Sequence, residues 1–328
     1  MKLSVLDQSV ACAGRDEVHA LADTLGLATH CETLGYERFW VSEHHGLPTI
    51  VGSAPEILMA AIAARTTRIR IGSAGVMLPH YASLKVAEQF NVLAALAPGR
   101  IDLGVGRAPG SDMRTAMALN PDAARAAERF PEQIGELQAW TTGQRHAGIW
   151  AHPRPATGVA PPEIWVLGSS DYGARLAAHL GLPYAFAYFF SDGLGVEQAL
   201  ELYRSGYRPS ERHPTPQPTI CVWALAADRE DDARLHARSR ERWRIDRQRG
   251  LLGPLQPPQD IRFTPDEDAS LAGLRERAFV GTADQVGAKL RALAATLELD
   301  HLVINTWAHD PAVRRRSYAL LAQEFGLA

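Results

Sequence analysis

At 328 residues the chain is long enough for two average domains, or for a single α/β barrel with insertions. A net charge of −3 and a pI near 6.5 exclude the basic excess that a nucleic-acid binder concentrates on one face. The three cysteines, Cys12, Cys31 and Cys221, stand far apart with no CxxC pair, so they read as reduced thiols rather than zinc or redox ligands. The opening "MKLSVLDQSV" turns polar too early for a signal peptide, and no apolar run reaches the ~20 residues of a membrane helix; a cytoplasmic protein with no membrane partner is expected.

Short apolar, β-branched runs alternate with longer helical patterns. The spacing predicts strands at Leu3 to Leu6, Arg38 to Val41, Ile69 to Ser73, Ile101 to Val105, Ile164 to Leu167, Tyr184 to Phe189, Thr219 to Leu225 and His301 to Asn305. Helices are predicted at Glu17 to Leu34, Pro55 to Arg65, Leu84 to Leu96, Ala123 to Thr141, Tyr172 to Leu180, Val196 to Ser205, Asp228 to Gln248, Ala283 to Leu297 and Pro311 to Phe325. Eight strand–helix units are the signature of a (β/α)8 TIM barrel, here one domain over residues 1–328. "LAPGR" (Leu96 to Arg100) and "HLGLPY" (His179 to Tyr184) stop helices just before strands, as αβ turns do. Gly143 to Pro162 and Gly250 to Ser270, rich in Pro and Gly, fall outside the rhythm and are expected as loop insertions that cover a site.

In such a barrel, function gathers at the C-terminal strand ends. Strand one ends in "LDQS", strand two in "EHH", strand three in "GSAGVMLPHY", strand four in "GVGRAPGSD", strand five in "LGSSDYGAR" and strand eight in "INTWAHD". Polar, glycine-rich ends on so many strands point to one shared pocket. Ser169 and Ser170, with Gly168, open a helix whose free N–H groups suit a phosphate, although an ordinary N-cap reads the same way. Arg107 adds a permanent cation that can bind phosphate oxygens in pairs, or staple two loops; Arg125 is a second candidate, or a solvated helical arginine. His44 and His45 are adjacent on an extended segment and point opposite ways, and no HxH or HExxH cluster completes a metal site, so no metal is expected. They remain as loop caps or as acid/base groups, with Glu43 placed to fix a tautomer.

These residues together resemble the bacterial luciferase-like flavin monooxygenases over nearly the whole chain. The resemblance rests on "EHH", on Ile71 to Asp112, on "LGSSDYGARLAAHLGLPYAF" and on the closing "HLVINTWAHDPAVRRRSYALLAQEF". It implies a barrel using reduced FMN as cosubstrate, less readily coenzyme F420, and oxygen on paired donors, one of them a small organic substrate. It further implies a non-prolyl cis peptide at Ala74 and Gly75 against the flavin, and a phosphate held by Arg107 and the Ser169–Ser170 turn with Arg125 as helper. His44 would then stand by the reactive edge of the ring with Glu88 supporting the pocket, and the chain would be a homodimer served by a separate flavin reductase. Gly106 stands where luciferases proper have a cysteine, and their long lid is not recognisable, so light emission is not implied. "GVGRAPG" does not have the GxGxxG spacing of a dinucleotide site. An F420-dependent oxidoreductase, a non-catalytic flavin-binding protein, and a barrel hydrolase or isomerase using Glu43 and His44 are the competing readings.

Overall fold

Runs such as "RFWV" and "YAF" bury on both faces, which is what a strand needs when helices cover its outside and neighbours fill its inside. In the computed structural model, which describes residues 1–108 and 110–327, they form eight parallel strands. These are β1 (Lys2–Asp7), β2 (Arg38–Val41), β3 (Arg70–Met77), β4 (Ile101–Gly106), β5 (Glu163–Gly168), β6 (Tyr184–Phe186), β7 (Pro218–Ala226) and β9 (His301–Asn305). Each pairs with the next, β7 pairs with β9, and β9 returns to β1, so the sheet closes into a TIM barrel. Pro109, in the loop after β4, and Ala328 lie outside the described residues.

A ninth strand, β8 (Phe279–Gly281), escaped the sequence reading: three residues leave no period to detect, and it pairs only with β7, outside the ring. The helices are α1 (Glu17–Thr33), α2 (Pro55–Ala63), α3 (Ser83–Leu96), α4 (Met113–Leu119), α5 (Ala123–Glu128), α6 (Phe130–Thr141), α7 (Asp171–Leu180), α8 (Tyr188–Ser191), α9 (Val196–Ser205), α10 (Glu230–Gln248), α11 (Pro265–Arg277), α12 (Ala283–Thr296) and α13 (Pro311–Phe325). The helix expected over Ala123 to Thr141 is broken at Arg129, because Pro131 has no N–H to continue the ladder and instead opens α6. The strand expected to reach Phe189 stops at Phe186, and Tyr188 onward turns into α8. Gly250 to Ser270 is not loop throughout: Thr264 and Glu267 form a reciprocal capping box that starts α11 at Pro265.

Two layers of core result. The outer one packs helices on the barrel, as where α1 buries Ala20, Thr24, Leu27, Ala28 and Cys31 at helical spacing. The inner one fills the barrel with Leu6, Trp40, Trp165, Ala185, Cys221 and Val303, one from each of six strands. At the N-terminal rim, fully buried Asp102 accepts from the Trp40 indole at 2.9 Å and pairs with Arg38 at 2.8 Å and with Arg70; Arg38 also reaches Glu163 at 2.8 Å. This charged plug closes one end, and the hollows described next open at the other.

Candidate active site

The inner hollow, of about 250 Å³, stands on the upper layer of the barrel core, with Leu6, Trp40, Ala185, Cys221 and Val303 in its lining. One wall comes from β3, whose register against β4 shifts between Ser73 and Val76. The Ala74–Gly75 peptide is cis, as the resemblance implies. Backbones approach so closely here that a Cβ on Gly75 would stand 2.6 Å from Leu167 Cδ1 and 2.8 Å from the Gly104 carbonyl oxygen. The wall is therefore bare backbone and Ala74, facing apolar side chains across a narrow space.

At the rim of this hollow, Arg107 from the end of β4 meets Ser169 and Ser170 from the end of β5. Arg107 is exposed, and its guanidinium carbon lies 4.0 Å from the centre of the Tyr172 ring in the first turn of α7. No carboxylate among the described residues lies within 4 Å of it, so it staples no loop by an ion pair. Ser170 takes the N-cap position of α7 with extended backbone, but its side chain makes no capping hydrogen bond, and the helix start is left unsatisfied by side chains. Arg107 and a bare helix N-terminus together place positive potential at the mouth of an apolar slot.

The loop after β2 divides its labour. Glu43 is buried and saturated: it accepts from the Met77 N–H at 2.9 Å, the Tyr81 hydroxyl at 2.5 Å and His45 Nε2 at 2.7 Å. Glu43 thus fixes His45, not His44, and His45 lies outside the hollow. His44 lines it, with Nδ1 3.2 Å from the Ser42 hydroxyl. Burial pulls the His44 pKa down to about 4, more than the nearby Glu43 carboxylate raises it. At pH 7 His44 is therefore a neutral donor and acceptor, not a group that titrates near neutrality.

Two expected residues are not brought to the site. Arg125 is exposed on α5, and Glu88 is half-buried on α3; neither lines a hollow at the barrel mouth. Asp7, at the end of β1, is likewise structural, paired at 3.0 Å with buried Arg314 of α13.

An outer hollow of about 730 Å³ adjoins the inner one, and the two share Gln8, His44, Ala108, Phe189 and Phe190. Its far wall is α10, which brings in Arg240, Trp243, Arg244 and Arg247, facing Trp223 of β7 and Trp307 beyond β9. The Gln8 side-chain oxygen accepts from Asn305 Nδ2 at 2.7 Å and Trp307 Nε1 at 3.1 Å, holding the base of both hollows. Sequence reading missed the α10 residues because that helix reads as uniformly charged with no motif. A third hollow lies outside the barrel against α10, α11 and α12, where Arg275 is already ion-paired with Glu241 and Asp268. Among the described residues no three His, Cys, Asp or Glu are disposed to hold a metal, and no helix is long and apolar enough to cross a membrane.

The family model for luciferase-like monooxygenases matches residues 1–299. An N-acetyl-S-alkylcysteine monooxygenase of Bacillus subtilis is 35% identical over 334 residues, covering 98% of this chain and 97% of that one. The crystal structure of apo-MsnO8 superposes with a TM-score of 0.91 at 34% identity, covering 100% of this chain and 99% of the other. The oxygenating constituent of 3,6-diketocamphane monooxygenase from Pseudomonas putida, solved in complex with FMN, shares the fold at a TM-score of 0.73 and 19% identity, over 99% and 97% of the two chains. With its barrel, its cis peptide at Ala74–Gly75 and this match along nearly its whole length, the chain belongs to the luciferase-like monooxygenase family.

Proposed function

We propose that this monooxygenase-family oxidoreductase binds FMN, receives it reduced from a separate flavin reductase, and transfers one oxygen atom of O2 to a small organic substrate. The observation that carries the reading is the pairing of a narrow apolar slot with an anion site at its mouth: Arg107 and the uncapped start of α7 beside a wall of bare backbone at Ala74–Gly75. A planar ring system carrying a phosphate at one end fits that arrangement, and a fold neighbour is solved with FMN. When bound, the reduced flavin supplies the two electrons with which one oxygen atom goes to the substrate and the other leaves as water.

The protein's own part is modest chemistry and careful placement. Arg107 and the α7 N-terminus hold the phosphate; the β3 wall and Trp40 exclude water from the ring. His44, neutral and common to both hollows, donates or accepts a hydrogen bond where ring and substrate meet. A substrate enters the outer hollow, where Trp223, Trp243 and Trp307 offer an apolar lining.

Titration of the purified protein with FMN, reduced FMN and F420, followed by oxygen uptake with chemically reduced FMN over a panel of thioethers, ketones and aldehydes, tests this. Tight FMN binding with substrate-dependent oxygen uptake is expected. Binding of F420 in preference to FMN, or of neither, overturns the reading, and FMN binding without turnover of any kind moves the protein to the non-catalytic flavin binders.

A further inference from the structure

Arg240 is a buried cation that forms no direct ion pair among the described residues. It stands in the middle of α10, is 8% exposed and lines the outer hollow. No carboxylate among the described residues lies within 4 Å of it; its one hydrogen bond runs to the Phe189 carbonyl at 3.4 Å, and its guanidinium carbon sits 4.3 Å above the Trp223 ring. The neighbouring arginines are differently placed: Arg244 is bound through both terminal nitrogens by Asp192, and Arg247 is exposed over Trp243. Asp112, at the opposite rim of the same hollow, is engaged by the Thr115 N–H and hydroxyl.

A second group at the same spot has an unused donor. Trp223 is 6% exposed, lines the hollow, and its indole N–H donates to nothing. An unpaired buried donor and an unpaired buried charge are each costly, and both are satisfied by an acceptor that carries negative charge. Burial, reinforced by repulsion from Arg244 and only partly offset by the Asp192 and Glu241 carboxylates, pulls the Arg240 pKa down to about 9, which leaves the group cationic at neutral pH with both nearby carboxylates bonded to other arginines.

We infer that the outer hollow takes an organic acid, whose carboxylate or sulfonate head is bound by Arg240 and the Trp223 N–H while its apolar body lies among Trp243, Trp307 and Phe189 toward His44. This rests on the proposed function for the identity of the hollow as a substrate site, not for the existence of the anion site. The head of the substrate is thereby separated from the flavin phosphate: Arg107 serves one anion at the rim of the inner hollow, and Arg240 another in the wall of the outer one.

Calorimetric titration with octanoate, octanesulfonate and the neutral isostere octanamide, with and without saturating FMN, tests the inference. Each acid is expected to bind at least tenfold more tightly than the amide. Arg240→Met should lose at least tenfold in octanoate affinity, leave octanamide within twofold and leave FMN within twofold; Arg240→Lys should retain part of the acid preference. Trp223→Phe should lose three- to tenfold for the acids alone. Equal affinity for acid and amide, absence of binding by any of the three, or octanoate affinity unchanged in Arg240→Met overturns the inference. So does a tenfold loss of FMN affinity in Arg240→Met, which would make Arg240 a nucleotide ligand. Should Arg240→Met not fold, the wild-type acid-to-amide ratio and Trp223→Phe decide. Acid-selective binding in a protein that binds no FMN would remove the flavin reading and leave the anion site standing.

Discussion

The guanidinium of Arg107 is stacked 4.0 Å from the centre of the Tyr172 ring, so the cation at the mouth of the inner hollow is held by an aromatic face rather than by a carboxylate. An arginine so oriented keeps its N–H groups free for an incoming phosphate. Arg107→Ala is expected to weaken FMN binding by about 1.5–3 kcal/mol, the range of hydrogen bonds to charged groups. Tyr172→Leu should cost less, about 0.5–1 kcal/mol, because it loosens the cation without removing it. Fluorescence titration with FMN and with riboflavin checks both. Riboflavin, lacking the phosphate, should respond little to either change, and an unaltered FMN dissociation constant in Arg107→Ala would refute the anchor.

His44 is expected to matter for turnover and not for loading. His44→Ala should leave FMN affinity nearly intact and slow oxygen transfer by ~10²- to 10⁴-fold, the usual worth of a positioned proton donor or acceptor. With its pKa near 4, its protonation should not appear as a limb near pH 6.5 in the turnover profile; any acid limb it causes should lie near pH 4. Rapid-mixing kinetics on both proteins from pH 4.5 to 8 test for the absence of a limb near pH 6.5.

Acid stability carries a signature of the same burial. His301, the first residue of β9, bonds the Ser4 hydroxyl at 2.7 Å, and burial brings its pKa down to about 3. A histidine whose folded pKa lies below its unfolded value of about 6.5 binds its proton more readily in the unfolded chain, so its stability contribution is present above pH 6.5 and is lost as the pH falls toward 3. Wild-type stability should therefore decline through this window by about 1.4 kcal/mol per pH unit for each such histidine. His301→Gln should show a shallower decline between pH 6.5 and 4, measured by urea unfolding.

Glu43 is expected to be the more structural neighbour of a catalytic loop. Removing it strands the Met77 N–H, the Tyr81 hydroxyl and His45, so Glu43→Ala should cost about 3–5 kcal/mol of stability, as for the loss of one member of a buried charged cluster. His45→Ala, which removes one of the three donors, should cost about 1–3 kcal/mol. Urea unfolding curves of the two variants should rank in that order.

Gly75→Ala probes the wall of the slot. The added methyl would meet the Gly104 carbonyl at 2.8 Å and Leu167 at 2.6 Å, and of these only the leucine can yield. A destabilisation of about 1–3 kcal/mol with a measurable loss of FMN affinity is expected, since the displaced backbone lines the inner hollow proposed to take the ring. Retained stability and affinity would show that the wall has more room than its contacts indicate.

Most barrel strands were legible because they are β-branched apolar runs bounded by turn residues, and "IDLGVG" or "HLVIN" can hardly be read otherwise. The short β8 and the four-residue α8 carry too few residues for any period. For α11 a signal existed, Thr264 three residues before Glu267, but the count of prolines across Gly250 to Ser270 spoke louder for a loop. The rim of the inner hollow could be found because strand ends are defined by sequence; Arg107, Ser169 and Ser170 follow directly. Arg125 and Glu88, which the resemblance implied, do not line either hollow at the barrel mouth, and nothing in a linear pattern tells which face of a helix turns toward it. The strand-end part of the outer hollow's lining, Trp307 among it, was legible in the same way, whereas Trp223 and Arg240 come from within β7 and α10, and only closure of the ring brings them to it.

Phe189 and Phe190 form part of the partition between the two hollows, and the Phe189 carbonyl also accepts from Arg240. Any change at this pair is pleiotropic. A lineage adapting to a bulkier substrate by trimming either ring would alter the inner hollow in the same step, so the fitness effect of such a change depends on residues across the partition, from Ala74 on one side to Trp243 on the other. Diversification of substrate range in this chain should accordingly begin on α10, whose inward side chains touch one compartment alone, and reach the phenylalanines late, with compensating changes already in place.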